Sequence, residues 1–295
     1  METWIVFTLL AVVMQSVRTA GQKRIARALS VEATTLVRFL FGLPFAVTYF
    51  LFVRYQSAQD VLHFQSTFFL SATLAGIAQI AATLCLVKAL TLRNFAVGTA
   101  LAKTEAILTA LLGTVFFSAA LSSLGYLSVV VGVMGLLAAS NWQFSWHDLL
   151  RNQSIKYGLG AGLGFALASL WIREASLSLQ VSLIYSASVV LCYMVALQAL
   201  LCLLWVAWKD RAQLGLIASN LSRSFFIGFT GVAGSVGWFT AMSLQEAALV
   251  KTLGQLEFVV SLLITYLYFG EKISAREYLG IGLVACSIVL LLWAT

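Results

Sequence analysis

Charged side chains are scarce in this chain. Asp, Glu, Lys and Arg make up only 10% of its 295 residues, whereas soluble domains carry about 25%. Hydrophobic residues account for 61% of the chain, and its mean hydropathy is +0.96. A surface with so few charges could not remain in water. The composition therefore excludes an ordinary soluble domain and predicts an integral membrane protein in a lipid bilayer.

Cysteine and histidine are also scarce. The four cysteines lie within apolar stretches, and none forms a C-x-x-C pair or lies near a histidine. The two histidines, His63 and His147, lie in predicted loops. This pattern argues against a disulfide framework, a metal site or a triad-like active site. We therefore expect neither a cofactor nor a bound metal, and we expect a protein that is not an enzyme.

Long apolar runs dominate the rest of the chain. A transmembrane helix needs roughly 20 mostly apolar residues, and ten such stretches occur, joined by short connections. Their approximate bounds are 3–20, 34–53, 66–89, 95–117, 123–140, 157–176, 181–207, 224–243, 247–269 and 278–294. The sequence therefore predicts an all-α polytopic membrane protein with about ten transmembrane helices.

The distribution of Lys and Arg predicts the orientation in the membrane. One set of alternating loops holds 13 basic residues, beginning with Arg18, and the set that includes both termini holds only Arg54 and Arg173. Because basic loops stay on the cytoplasmic side, both termini should lie outside the cytoplasm, in the inner or plasma membrane. The formal net charge of +7 then reflects membrane topology and predicts no nucleic-acid partner.

The two halves of the chain repeat each other. A shift of 152 positions aligns Ala89-Leu-Thr-Leu with Ala241-Met-Ser-Leu and pairs Glu105 with Glu257. The repeat unit is about five helices, an odd number, so the second copy should enter the membrane from the opposite side. Inverted repeats of this kind are typical of secondary transporters. The sequence thus predicts two inverted five-helix repeats, 1–140 and 157–295, joined by a loop at 141–156.

The segment from Leu253 to Gly280 resembles the second-repeat signature of EamA-type transporters, which belong to the drug/metabolite transporter superfamily. It contains a helix with Glu257, then Gly270-Glu271, then a helix that opens with Leu279-Gly280. The first copy, around Glu105, matches more weakly. The resemblance implies a ten-helix fold of two inverted repeats and the transport of metabolites, often by export or exchange.

The sequence departs from this family pattern in three places. The proline that follows the glutamate in the family is replaced by Ala106 and Phe258, and the chain has a single proline, Pro44. The first copy has Ser118-Ala119 where the family has Gly-Glu. The family usually keeps its termini in the cytoplasm, whereas the basic residues of this chain predict the reverse.

Glu105 and Glu257 are the main candidates for the chemistry. An ionisable residue at bilayer depth costs roughly 2.5–3.5 kcal/mol, so it should face a cavity or a partner. Low dielectric and a neighbouring carboxylate both favour the protonated form of a carboxyl group. The pair could therefore exchange protons for a cationic substrate. Alternatively, each glutamate is structural and pairs with Arg38, Lys103 or Lys251.

Five further side chains within or at the edge of the apolar stretches are candidates for the pathway. Lys103 and its repeat mate Gln255 could line the pathway, and Lys103 together with the glutamates would suit a zwitterion. Arg38 could contact an anion or form a structural ion pair. Buried tryptophans can hold an organic cation, so Trp171 and Trp238 are candidates, although core packing is the alternative. Weaker candidates of the same kind are Gln79, Thr83 and Tyr185.

Glycines recur along two predicted helices. Gly228, Gly231, Gly234 and Gly237 are spaced by three, and the run from Gly158 to Gly164 holds overlapping G-x-x-x-G patterns. Such faces allow helices to approach closely, and in a transporter they would also permit sliding.

The sequence supports three hypotheses. The first is a proton-linked secondary transporter for a small cationic or zwitterionic metabolite, acting as a monomer or homodimer. The second is an electroneutral exchanger or flippase for an anionic or amphiphilic solute, bound by Lys103, Arg38 and Lys251. The third is a membrane scaffold, which would gain nothing from repeat-related charges at the midplane.

Overall fold

Helices provide all the regular secondary structure in the computed structural model, which describes residues 2–57, 60–92, 101–139, 152–269 and 274–294. Gly270, Glu271, His147 and most of the connecting loop lie outside the described residues. The helices are α1 (Thr3–Ile25), α2 (Val31–Leu40), α3 (Leu43–Gln56), α4 (Ser66–Thr91), α5 (Glu105–Phe116), α6 (Ser123–Ala139), α7 (Gln153–Ser178), α8 (Leu183–Lys209), α9 (Ala212–Ala218), α10 (Leu221–Leu244), α11 (Ala247–Leu253), α12 (Leu256–Phe269) and α13 (Ala275–Ala294).

Seven stretches of the described chain are long and apolar enough to cross a membrane. They are Thr3–Ile25, Val31–Gln56, Ser66–Thr91, Gln153–Ser178, Leu183–Lys209, Leu221–Leu244 and Ala275–Ala294. Two shorter apolar helices, α5 and α6, coincide with further predicted spans. The prediction of an all-α integral membrane protein is thus confirmed.

Two of the predicted spans are interrupted in their middle. The span predicted at 34–53 breaks at Phe41–Gly42 into α2 and α3, and Pro44 lies in the first turn of α3, where its missing N–H is tolerated. The span predicted at 247–269 breaks at Gly254–Gln255 into α11 and α12. Interrupted helices expose backbone groups at the level of the membrane interior, and transporters build their binding sites around them.

A third break lies in the first half of the chain. Leu101 and Ala102 are helical, Lys103 and Thr104 form a turn, and α5 begins at Glu105. The 152-residue shift relates Lys103 of this turn to Gln255 of the break between α11 and α12. Glu105 and Glu257 therefore lie in the first turns of α5 and α12, each directly after a break.

The main helix contacts join the first half of the chain to the second. Helix α1 packs along α10, α4 along α7, and α6 along α13, while α8 packs against both α2 and α3. The largest cluster of buried apolar side chains runs from Trp4 of α1 to Leu291 of α13. The two halves are therefore interdigitated, and the core lies between them.

Glycine allows these close approaches. A methyl group at Gly237 of α10 would lie 2.8 Å from the Cβ of Ala11 and would collide with the carbonyl oxygen of Phe7. At Gly164 of α7 it would lie 2.8 Å from the Cβ of Ala82 on α4. Both distances are shorter than carbon–carbon contact allows. The predicted packing role of the glycine stripes is therefore observed at both helix pairs.

Hydrogen bonds between connections define the two ends of the bundle. The backbone N–H of Ser30, between α1 and α2, donates to Oε1 of Gln213 on α9 over 2.9 Å. At the other end, the N–H of Ser182 donates to Oδ2 of Asp60 over 3.2 Å. We name these the Ser30 end and the Ser182 end.

The prediction that Arg18 lies in a loop is wrong. Helix α1 continues to Ile25, five residues beyond the predicted end at 20, and Arg18 is only 2% exposed. The polar residues from Gln15 to Arg27 suggested a helix end, but Ser16, Arg18 and Gln22 are buried against the other helices. Without Arg18, the loops at the Ser30 end have one basic residue fewer but still hold far more Lys and Arg than the loops at the other end. The predicted orientation therefore does not change.

Candidate functional site

Glu257 is held by groups from two other segments. The ammonium group of Lys103, in the turn before α5, donates a hydrogen bond to Oε2 of Glu257 and forms an ion pair with it. Nε2 of Gln15 on α1 donates to the same oxygen over 2.8 Å. The carboxylate is buried, so these contacts replace the water that it would otherwise need.

Glu105, in the first half of the chain, is paired with a lysine from the second half. Nζ of Lys251 on α11 lies 3.5 Å from Oε2 of Glu105, and both side chains are buried. A lysine of the second half thus neutralises the glutamate of the first, while Lys103 of the first half neutralises Glu257. The two ion pairs cross between the halves of the chain at the helix breaks.

Trp238 of α10 connects these two pairs. Its indole N–H donates to Oε1 of Gln15 over 2.9 Å, and Gln15 in turn donates to Glu257. Nζ of Lys251 lies 4.3 Å from the centre of the Trp238 ring, within the range of a cation–π interaction. The indole therefore orients groups from both pairs, and a lysine already occupies the face predicted for an organic cation.

Gln15 is a functional candidate that the sequence interpretation missed. It is a polar residue within the apolar run of α1, and that is the signal that could have identified it. The prediction considered the amides of Gln79 and Gln255 but not that of Gln15.

Arg38 lies across the cavity on α2. Its Nη1 donates to Oγ1 of Thr83 over 2.8 Å, and that hydroxyl donates to the carbonyl oxygen of Gln79 over 2.7 Å. The Gln79 side chain accepts a hydrogen bond of 2.8 Å from Gln198. Within the described part of the chain, no carboxylate forms an ion pair with Arg38. The guanidinium therefore remains a buried charge held only by neutral groups.

Arg18 is a second buried guanidinium that was not predicted. It lies one turn beyond Gln15 on α1, and its charge interacts with those of Glu257, Glu105 and Arg38. Four basic side chains therefore meet two carboxylates in the described centre: Arg18, Arg38, Lys103 and Lys251 against Glu105 and Glu257. The centre has a formal surplus of two positive charges.

A small cavity lies among these groups. The polar side chains that line it are Gln15, Arg38, Gln79, Glu105, Ser169, Trp238 and Lys251. Only about 20 Å³ is open to the centre of a water molecule, enough for one water. The structure is therefore an occluded conformation, and an organic solute would enter only after the surrounding helices move.

Three predicted candidates lie elsewhere. Gln255 is buried against Gly132 of α6, and its amide atoms have no hydrogen-bond partner among the described residues. The Trp171 ring packs edge-on against Phe117 at 6.4 Å. Tyr185 stacks on Phe50 at 6.3 Å. Unlike Trp238 and Arg38, none of the three lines the cavity.

Among the described residues, no group of three or more His, Cys, Asp or Glu is placed to hold a metal ion. Interrupted helices that meet around buried charges within an apolar helix bundle are typical of membrane transporters.

A sequence profile of the EamA-like transporter family matches residues 2–141 and 153–293. The chain therefore belongs to this family of membrane transporters of small solutes, as its motifs predicted. A solved structure, titled only as the crystal structure of a protein, has a similar fold. It matches with a TM-score of 0.69 at 15% identity, over 99% of this chain and 97% of the other. No curated protein matches the sequence.

Proposed function

We propose that this protein is a secondary carrier that moves a small organic solute with an anionic group, such as a carboxylate, through the cavity beside Arg38. The observation that carries the proposal is the surplus of positive charge around that cavity. Each glutamate is already paired with a lysine, whereas Arg38 lines the cavity and, among the described residues, has no carboxylate in an ion pair with it.

A buried guanidinium without a counter-ion is unfavourable because its charge has lost its hydration. A carboxylate in the cavity would neutralise Arg38 and accept the charge-assisted hydrogen bonds that a guanidinium donates. A zwitterion fits the same arrangement, because its ammonium group could approach Glu105. The proposal thus corresponds to the hypothesis in which Lys103, Arg38 and Lys251 bind the substrate.

The crossed ion pairs supply the moving parts of the proposed mechanism. Lys103–Glu257 and Lys251–Glu105 link the two halves of the chain beside the cavity. An anion that enters would compete with the glutamates for the lysine ammonium groups and weaken these links. The two halves would then be free to rock around the bound solute, as in alternating access. Return of the empty site would re-form both pairs.

The fold proposed for this mechanism has ten spans in two inverted five-helix repeats, 1–140 and 157–295, joined at 141–156. The supporting observation is direction: α1 runs towards the Ser30 end, whereas α7, the first helix of the second half, runs towards the Ser182 end. We place the protein in the plasma or inner membrane of the cell. The Ser30 end then faces the cytoplasm, and both termini lie outside it.

A second candidate is proton-linked transport of a cationic or zwitterionic metabolite. It is favoured by the carboxylate of Glu105, which lines the cavity close to the Trp238 ring. A proton on Glu105 or Glu257 would break the corresponding ion pair, so protonation could drive the same motion. In this mechanism the organic cation must displace Lys251 from the tryptophan face.

Ligand-induced stabilisation of the purified protein separates the two candidates. A ligand at a free concentration of about 100 times its Kd should stabilise the folded protein by roughly 2.7 kcal/mol. Carboxylates should raise the melting temperature of the wild type and of the exposed-site control Arg54→Gln, but not that of Arg38→Gln. Stabilisation by amines alone, increasing with pH and lost in Glu105→Gln, would refute the anion carrier and support the proton-linked one.

A further inference from the structure

We propose that Arg18 forms a second anion-binding position next to Arg38, so that the site takes a short organic dianion with its two anionic groups on the two arginines. The inference rests on the proposed function and narrows its substrate class.

The two arginines meet over one glycine of α10. The Cγ of Arg38 and the Cδ of Arg18 lie 3.4 Å and 3.6 Å from the position of a methyl group at Gly231. Side chains from α1 and α2 thus converge on the same surface of a third helix. Because Gly231 has no side chain, the aliphatic parts of both arginines can approach the same point of α10.

The surroundings of Arg18 hold polar atoms without partners. Nε of Arg18 and both amide atoms of Gln22 are buried and have no hydrogen-bond partner among the described residues. The same is true of the Thr34 hydroxyl. Gln22 follows Arg18 by four residues and Thr34 precedes Arg38 by four, so each lies on the same helix face as its arginine. Buried polar groups are normally satisfied, and Nε of Arg18, Nε2 of Gln22 and the Thr34 hydroxyl are donors that an oxyanion would satisfy.

The charges define the ligand as doubly negative. Glu105 and Glu257 are each engaged by a lysine, so both arginines lack a carboxylate within the described centre. Two like charges side by side in a buried site repel each other strongly. A ligand with two negative charges removes that repulsion and cancels the surplus. Guanidinium forks match the planar geometry of carboxylates.

The distance from the cavity to Arg18 bounds the size of the ligand. Gln15, which lines the cavity, and Arg18 are three residues apart on α1, so about 4.5 Å separates them along the helix axis. One anionic group would lie in the cavity at Arg38, and the other at Arg18. A four-carbon dicarboxylate has the reach from the level of Gln15 to that of Arg18.

Succinate and butyrate are matched probes because both have four carbons. Succinate carries two negative charges, whereas butyrate carries one. Their affinities should be measured on the purified full chain by calorimetry. The wild type should bind succinate at least about tenfold more tightly than butyrate, as expected for one additional charge-assisted interaction. Arg18→Gln should remove this preference and leave the affinity for butyrate within about twofold. Arg24→Gln, an exposed position on the same helix, should behave like the wild type.

Equal affinity for the two probes in the wild type would overturn the inference, and so would a preference that survives in Arg18→Gln. Butyrate binding that depends on Arg38 would leave the proposed function intact in both cases. A wild type that binds neither anion would overturn both proposals. If Arg18→Gln does not fold, Arg18→Lys replaces it in the test, because lysine keeps the positive charge but lacks the forked guanidinium group. The wild-type ratio tests the inference without any variant.

Discussion

Lys103 and Glu257 are separated by 154 positions, yet their side chains form an ion pair beside the central cavity. Each belongs to an interruption in its helix, one in each half of the chain. The pair therefore joins the two places where the backbone of the membrane-spanning bundle is least regular. Any motion that separates the halves must lengthen this contact.

The coupling between Lys103 and Glu257 should be measurable in a double-mutant cycle. We expect Lys103→Met and Glu257→Gln to be non-additive, with an interaction energy of about 1–3 kcal/mol, because both groups are largely removed from water. Reversible unfolding in detergent provides the free energies. The exposed pair Lys209–Glu32 is the matched control and should give about 0.2–1 kcal/mol. Additive effects at Lys103 and Glu257 would contradict the ion pair.

Close packing of α1 against α10 should make Gly237 intolerant of a side chain. Gly237→Ala would place a methyl group against Phe7 and Ala11, and we expect a loss of about 1–3 kcal/mol in unfolding free energy. Gly282 of α13 faces open space, with nothing within 4 Å of an added methyl group. Gly282→Ala should therefore be neutral or stabilising by up to about 1 kcal/mol. Equal melting temperatures for the two variants would argue against this helix contact.

The two candidate tryptophans should differ in their effect on ligand binding. Trp238 lines the cavity and holds Gln15 and Lys251, whereas Trp171 packs against Phe117. We expect Trp238→Leu to weaken binding of a solute by about tenfold or more, because the orientation of both ion pairs is lost. Trp171→Leu should leave the dissociation constant within about twofold. A larger loss of affinity in Trp171→Leu than in Trp238→Leu would show that the binding site does not lie beside α10.

Labelling of single cysteines tests the orientation of the chain. Ser182→Cys and Ser219→Cys, both at exposed positions, mark opposite ends of the bundle in a background without the four native cysteines. An impermeant maleimide should label Ser182→Cys in intact cells and Ser219→Cys only after permeabilisation, because basic loops lie in the cytoplasm. The opposite pattern would agree with the usual orientation of the family and would reverse the assignment.

The architecture was largely predictable because it depends on local composition. Apolar runs locate the helices, and the repeat relates Glu105 to Glu257 before any contact is known. The breaks at Lys103–Thr104 and Gly254–Gln255 were not predicted, since a short interruption barely changes the mean hydropathy of a long run.

The sequence named Lys103 and Lys251 among the possible partners of the two glutamates, but it did not indicate which lysine pairs with which glutamate. The contact of Lys103 with Glu257 depends on how two helices approach each other, which no local pattern specifies. Arg18 was assigned to a loop because a basic residue near the end of an apolar run usually has access to water. Gln255 was proposed through its relation to Lys103 in the repeat. In the structure, Gln255 fills the space left beside Gly132, between α6 and α13. The repeat mate of Gly132 is Val284, whose side chain leaves no equivalent space for Lys103.

The small volume of the central cavity has a consequence for proton movement. Protons cross a bilayer along continuous chains of hydrogen-bonded water, and a space for a single molecule cannot form such a chain. In this conformation the cavity by itself therefore offers protons no route between the Ser30 end and the Ser182 end.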